Sequence, residues 1–345
     1  MQKTILYAVL NWGLGHATRS IPIIQHLLER KYRVVIVSDG DALCLLQDEF
    51  KSIEFIQTVS YRAEYSQTGK TFKLYLAKQI PKFIHVISKE HQECLKLCEK
   101  YHVDYVISDN RYGFYHPQLP SALISHQLQL PYEENKWLEK IVNWRYQKYL
   151  QRFKELWVPD LSPPNSLSGK MSALAWSNVY YLGIDSRLNK QERDITYQSL
   201  SVISGPEPQR SKLEEKLLNL LPTLPGKHCL IRGRQNLAPI EAGEIEIIDL
   251  ADKEKLEEKI NACEFVVCRS GYTSLLDLIK LKKRAILIPT PGQIEQENLA
   301  KTMKEKGWFT VEHQEHLKLQ LEANKDVPEL PSGYNFEIIE QFLSS

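Results

Sequence analysis

The chain has 345 residues, 43% hydrophobic and 25% charged, too apolar for a disordered polymer and long enough to bury two ordinary cores. Forty-four basic residues against forty-three acidic ones give a formal net charge of +1, which supplies no global attraction to nucleic acid or anionic lipid, so any anion site is local. The first residues lack a signal-peptide cleavage pattern and no later apolar run is long enough for a bilayer, so a cytoplasmic location is expected.

The first apolar run, Ile5 to Leu10, reads as a buried strand. Directly after it, Asn11-Trp12-Gly13-Leu14-Gly15-His16-Ala17-Thr18-Arg19-Ser20 supplies two glycines for a sharp turn into a helix ending near Arg30. Strand-like runs follow at Arg33 to Ser38, Ile53 to Thr58, Asp104 to Ser108, Ser121 to Ser125 and Glu155 to Val158, with long helical patterns at Phe72 to Tyr101 and Trp137 to Phe153. Asp160 to Asn178, with Pro163-Pro164 and several serines, reads as an exposed connection. The second half repeats the plan, with strands at Ser201 to Ser204, His228 to Arg232, Ile245 to Leu250, Phe265 to Cys268 and Ala285 to Pro289. Alternation of this kind is the mark of α/β layers with parallel sheets. It predicts an N-terminal domain over 1–165, a connecting region over 166–185, a C-terminal domain over 186–334 and a terminal helix over 335–345 that packs back on the first domain.

Parallel sheets bind ligands at the carboxyl ends of their strands, and the chemistry-bearing residues cluster there. His16 sits where a helix begins; the positive end of the helix dipole disfavours an imidazolium, which makes His16 a candidate neutral base. Its plainer reading is a helix-start residue that satisfies local backbone groups. Asp109 closes a buried strand on the same rim, where it either orients the imidazole or caps the following turn. His126-Gln127 ends another strand and either meets an acceptor or forms a satisfied polar loop. Three loops of the second half carry polar and small residues: Ser204 to Arg210, Arg269 to Ser274 and Thr290 to Gln296. In the second of these, Ser270-Gly271 opens a helix whose free amides suit phosphate oxygens, with Arg269 or Arg232 adding charge and Asp277 placed for ribose hydroxyls.

Other site types fit less well. Gly13-x-Gly15-x-x-Thr18 with Asp39 departs from the dinucleotide fingerprint at its third glycine. Asp39-Gly40-Asp41 reads as a turn with a helix cap rather than a metal-holding Asp-x-Asp. The six cysteines, Cys44, Cys94, Cys98, Cys229, Cys263 and Cys268, form no Cys-x-x-Cys pair and read as buried thiols. Neither a cofactor nor a metal is expected.

The string Cys268-Arg269-Ser270-Gly271-x-x-x-x-x-Asp277, followed by Pro289-x-Pro291-x-Gln293-x-Glu295-Gln296-x-Asn298-Leu299-Ala300, is similar to the donor-nucleotide region of GT-B glycosyltransferases of family 28. That family includes the lipid-linked N-acetylglucosaminyltransferase of peptidoglycan synthesis; a more distant likeness is to glucuronosyltransferases. The resemblance implies two Rossmann-like domains facing across a cleft, with a nucleoside-diphosphate sugar, UDP-linked in this family, held mainly by the C-terminal half without a metal. It assigns Ser270 and Gly271 to the diphosphate, Asp277 to the ribose, and Glu295 with Gln296 to the sugar; from the residues themselves, Gly205, Arg232 and Arg269 are expected to add to the donor site. The loop with Gly13, Gly15 and His16 and the stretch Ser125-His126-Gln127 resemble the family's acceptor side; from the residues themselves, Arg19 and Arg111 are expected at the acceptor too, and His16 with Asp109 is the expected catalytic pair. Asp277 stands where the peptidoglycan enzyme has glutamate and Glu295 where it has glutamine. The activity expected is inverting transfer of a hexosyl or N-acetylhexosaminyl group to an acceptor hydroxyl, of the sort that builds a cell-envelope glycan. The alternatives are a nucleotide-sugar hydrolase with a Gly-x-Gly-His-x-x-Arg loop, an epimerase of the same architecture, or a non-catalytic nucleotide-sugar binding protein. The basic, aromatic stretch 136–154 is either a peripheral contact with the inner face of the membrane or an ordinary helix with a solvated basic face.

Overall fold

The computed structural model describes residues 2–62, 78–130, 136–234, 245–322 and 324–344. The part of the expected Phe72 to Tyr101 helix that precedes Lys78 lies outside the described residues. Those residues form two compact units: 2–62, 78–130, 136–185 and 332–344 in the first, 186–234, 245–322 and 324–331 in the second.

The first unit is a parallel sheet of β1 (Thr4–Val9), β2 (Arg33–Ser38), β3 (Glu54–Gln57), β4 (Tyr105–Asp109), β5 (Ser121–Ile124), β6 (Glu155–Val158) and β7 (Val179–Tyr181), in the order β3-β2-β1-β4-β5-β6-β7. Among the described residues, four helices lie between the strands: α1 (Gly15–Glu29), α2 (Gly40–Glu49), α3 (Ile80–Tyr101) and α4 (Lys136–Leu150). β1 is buried along its whole length because both faces of the sheet are covered. Ile5, Tyr7 and Val9 pack with Ile21, Ile24 and Leu27 of α1 on one face, while Leu6 and Ala8 meet Cys94, Leu97 and Tyr101 of α3 on the other. The terminal helix α9 (Phe336–Ser344) closes the α1 face, where Phe342 meets Trp157 edge-on and the Tyr105 hydroxyl donates to the Leu343 carbonyl at 2.6 Å.

The second unit is a parallel sheet of β8 (Tyr197–Val202), β9 (His228–Ile231), β10 (Glu246–Ile248), β11 (Cys263–Cys268), β12 (Arg284–Leu287) and β13 (Thr310–Val311), in the order β10-β9-β8-β11-β12-β13. Its helices are α5 (Gln209–Leu220), α6 (Lys253–Asn261), α7 (Tyr272–Leu281) and α8 (Ile294–Lys306).

Three elements differ from the sequence reading. β8 starts at Tyr197 rather than Ser201, because Ser199 and Ser201 are buried; the Ser199 hydroxyl is bonded to His228 Nδ1 at 2.8 Å. β7 lies within the stretch 166–185 that reads as a connection, and pairs with β6 although all three of its residues are only half-buried. β13 is two residues long, too short to leave a periodic signal. Among the described residues, no helix is long and apolar enough to cross a membrane.

Candidate active site

In both sheets the chain order reverses about a central pair of strands, and ligands bind beyond the carboxyl ends of strands at such a point. In the first unit the pair is β1 and β4, in register at Val9 and Asp109. In the second it is β8 and β11, in register at Val202 and Cys268.

Beyond β1, Gly13 adopts a left-handed φ of +81° and lets the chain turn into α1, which begins at Gly15. His16 therefore lies on the first turn of α1, next to the end of β4. Its Nδ1 is 2.7 Å from Asp109 Oδ1, and its side chain keeps 14% exposure while Asp109 has none. Arg19, one turn along the same helix face, clamps Asp109 through both carboxylate oxygens: Nε donates to Oδ2 at 2.7 Å and Nη2 to Oδ1. The Ser20 hydroxyl also donates to Oδ2, at 3.2 Å. Burial opposes the charge on Asp109, but Arg19 and His16 overcome it and hold the carboxyl down at about 2. His16 Nδ1 lies between this carboxylate, which can only accept, and Arg19 Nη2 at 2.9 Å, which can only donate; in the tautomer that gives its Nδ1 proton to Asp109, Nε2 is the basic nitrogen. Burial first, and Arg19 second, lower the His16 pKa below its ordinary 6.5, against the pull of Asp109. The neutral imidazole expected at the helix start thus owes its neutrality to burial and Arg19.

His126 joins the cluster through its Nδ1, 3.0 Å from Arg19 Nη1. The Gln127 carbonyl accepts from the Tyr146 hydroxyl of α4 at 2.6 Å. Arg111, assigned from the sequence to the acceptor, is fully enclosed. Its guanidinium donates to Glu90 at 2.8 Å, to the Val9 and Val59 carbonyls, and to Asp39, so it braces the rim from beneath and has no surface to offer a ligand. Asp39 correspondingly makes no side-chain cap to α2, contrary to the cap reading of Asp39-Gly40-Asp41.

In the second unit, Gly271 is the N-cap of α7, so the amides at the start of that helix open beside the end of β11. Ser270 is buried and its hydroxyl donates to the Gln296 carbonyl at 2.8 Å. Gln296 Oε1 in turn accepts from the Thr290 amide at 2.8 Å. These two side chains stitch the loops after β11 and β12 together, whereas the resemblance places them on the donor. Arg269 is 1% exposed and reaches four oxygens, those of Ile288, Pro289, Gln209 and the Gln314 side chain, while burial lowers its pKa to about 10. Arg232 is held by Glu214 and, at 2.9 Å, by Asp249. Asp277, half-buried, accepts from the Ser186 hydroxyl, and burial raises its pKa to about 6. Glu295 lies half-buried on the first turn of α8.

Two features escape the sequence. The role of Arg19 as a clamp on Asp109 was signalled only by its spacing of three residues from His16, which puts both on one helix face. The unpaired buried atoms Arg269 Nε, Thr290 Oγ1 and Gln293 Oε1 have no sequence signal at all. Among the described residues, no group of three or more His, Cys, Asp or Glu side chains is arranged to hold a metal ion.

The model of glycosyl transferase family 1 matches residues 3–132, and that of the glycosyltransferase family 28 C-terminal domain matches residues 233–330. None of the curated proteins matches the chain. Among solved structures, the glycosyltransferase of kitacinnamycin is similar at a TM-score of 0.67 and 13% identity, over 92% of this chain and 88% of that one. The spinosyn rhamnosyltransferase SpnG in complex with thymidine diphosphate is similar at 0.58 and 12%, over 90% and 86%. MurG of Acinetobacter baumannii is similar at 0.56 and 12%, over 92% and 87%. With both family models matched at the two ends and this fold along most of its length, the chain is a GT-B glycosyltransferase, like family 28 in its trailing half.

Proposed function

We propose that this glycosyltransferase moves a sugar from a nucleoside-diphosphate sugar to an acceptor hydroxyl, with inversion and without a metal ion. His16 Nε2 takes the hydroxyl proton; the freed oxygen attacks the anomeric carbon; the bond to the sugar-linked phosphate breaks and its electron pair leaves with the nucleoside diphosphate. A single displacement of this kind inverts the anomeric centre. Charge on the departing diphosphate meets the amides at the start of α7, the Gly205 loop and Arg269. Asp277 contacts the ribose and Glu295 the sugar, while Gly13, Gly15, Arg19, His126 and Gln127 frame the acceptor.

The observation that carries this reading is the His16–Asp109 contact of 2.7 Å, with the carboxylate fixed from its other side by Arg19. An orienting acid of this type fixes the tautomer of a base and stabilises the charge it takes up. The thymidine diphosphate named in the SpnG structure supports a nucleoside diphosphate as the leaving group; uridine is the base that the resemblance of the sequence motifs to family 28 implies. Replacing His16 with alanine is expected to lower turnover by about a hundredfold or more with little change in donor affinity. Undiminished turnover in H16A would remove His16 as the base. Rapid release of free sugar from donor alone would replace transfer with hydrolysis.

Peripheral membrane contact through α4 is part of the proposal. Trp137 is 72% and Trp144 56% exposed, with Leu138 and Ile141 also in solvent, so four apolar residues of this helix face away from the core that Leu150 and Tyr146 join. Lys140, Arg145 and Lys148 lie among them, the Lys148 ammonium 3.9 Å above the Trp144 ring. Flotation with anionic vesicles tests it; a protein that stays at the bottom of the gradient lacks the contact.

A further inference from the structure

α4 carries two stripes on opposite sides. Trp137, Ile141, Trp144 and Lys148, spaced four, three and four residues apart, form the outer one, and all four are exposed. Glu139, Asn143, Tyr146 and Leu150 repeat that spacing two residues on, which turns them about 200° around the helix axis and onto the inner side. Of the fifteen residues of α4, only Asn143 and Leu150 are buried. Apolar packing against the sheet therefore does little to hold this helix, and an element with few buried apolar contacts has low local stability. What ties the inner stripe down is polar, and it ends on the acceptor rim. Asn143 Oδ1 accepts from the Leu130 amide at 2.7 Å, and its Nδ2 donates to the Leu130 carbonyl at 3.0 Å. The Tyr146 hydroxyl donates to the Gln127 carbonyl. Gln127 and Leu130 belong to the segment that leaves β5 with His126, whose Nδ1 accepts from Arg19.

We infer that Asn143 and Tyr146 are positioning residues that couple the docking of α4 on an anionic bilayer to the order of the acceptor rim. This rests on the bilayer contact proposed above. The stretch 136–154 holds six basic residues against one acidic, so the outer stripe matches a negative surface: Trp137, Ile141 and Trp144 enter the apolar boundary while Lys140, Arg145 and Lys148 meet the headgroups. A helix steadied from outside keeps its two polar ties closed on Gln127 and Leu130. The freedom of the rim is then lost at docking instead of at acceptor binding, and the acceptor binds more tightly to the docked protein.

Hydrogen exchange of the full chain, with and without vesicles, tests the coupling. The Leu128 and Gln129 amides report on it because they bond to the Met171 carbonyl and not to α4. Vesicles of phosphatidylcholine and phosphatidylglycerol in equal parts should slow their exchange about fivefold or more, the lower end of coupling between two sites, and phosphatidylcholine alone should not. Asn143→Ala and Tyr146→Phe should bind the mixed vesicles like the wild type, seen as the same blue shift of tryptophan fluorescence, and lose the slowing. Tyr146→Phe removes a single oxygen, so it decides the matter if Asn143→Ala fails to fold. Unchanged exchange in the vesicle-bound wild type, or equal slowing in the variants, overturns the coupling and leaves the docking standing. A wild-type protein that binds no mixed vesicles overturns the docking, and the coupling with it.

Discussion

At the carboxyl rim of the first sheet, His16, Arg19, Asp109 and His126 contact one another within hydrogen-bond range, whereas at the rim of the second sheet Ser270 bonds to a backbone carbonyl and α7 starts without a side-chain cap. The two rims share a topology and differ in how their polar groups are completed. A base has to be aimed before its substrate arrives, so its orienting groups come from the protein itself. An anion site on a helix start is completed by the anion, so its amides stay uncapped in the protein. The comparison can be broken on either side.

The largest effect is expected on the first rim. Asp109→Asn keeps the shape of the side chain but removes the negative charge that holds the Nδ1 proton of His16 and balances Arg19. Turnover should fall about a thousandfold or more, the scale of losing the orienting acid of such a pair. Stability should fall by about 3–5 kcal/mol in a urea titration, because the buried Arg19 loses its counter-charge. A variant with normal turnover and reduced stability would show that Asp109 serves the fold alone.

How much of this was legible in the sequence follows from the range of the interactions. β1 could be read because a strand buried on both faces is a continuous apolar run, and the rule that strand ends share a rim then brought Asp109 to His16. Arg111 could not be read. Its carboxylate partners Asp39 and Glu90 stand 72 and 21 residues away, so its local sequence looked like a free cation next to the site. β8 was cut short for a related reason: a buried serine looks polar until the neighbour that satisfies it, His228 for Ser199, is known. Ser270 and Gln296 carry a family motif, yet in the structure their hydrogen bonds tie loop to loop, which a motif cannot reveal.

On the second rim, Gly205→Ala is expected to raise the Kd for the preferred nucleoside diphosphate about tenfold, the scale of one lost hydrogen bond to a charged group, because the new methyl group crowds the loop that meets the diphosphate. The φ of +100° at this position also strains an alanine, by about 1–3 kcal/mol. Thermal unfolding and calorimetry together separate the two effects. Full diphosphate affinity in a less stable protein would place the anion elsewhere and weaken the contrast between the rims.

The pH dependence sharpens the contrast from the other side. His16 reacts as the neutral imidazole, and its pKa lies below 6.5, so kcat/KM should drop to half of its plateau only at a pH below 6.5. Arg19→Met removes a charge that lowers the His16 pKa, and the inflection should move upward. An inflection that stays put would separate Arg19 from the base. Asp109 contributes in the acid range: held at about 2 against an ordinary 3.8, it supplies on the order of 2 kcal/mol of stability that is present above pH 3.8 and lost as pH falls toward 2.

The smallest effect is expected at Ser270, where family likeness and geometry disagree. The likeness places this residue on the diphosphate, but its hydroxyl donates to the Gln296 carbonyl and the residue is fully buried. Ser270→Ala should therefore cost about 1 kcal/mol of stability, the net worth of one neutral hydrogen bond, and change diphosphate affinity by less than about threefold. The amides at the start of α7, which need no particular side chain at this position, would still face the anion. If S270A instead binds diphosphate about tenfold more weakly at unchanged stability, the hydroxyl leaves Gln296 for the ligand. The loop brace would then be part of the cradle, and the second rim would rearrange on binding.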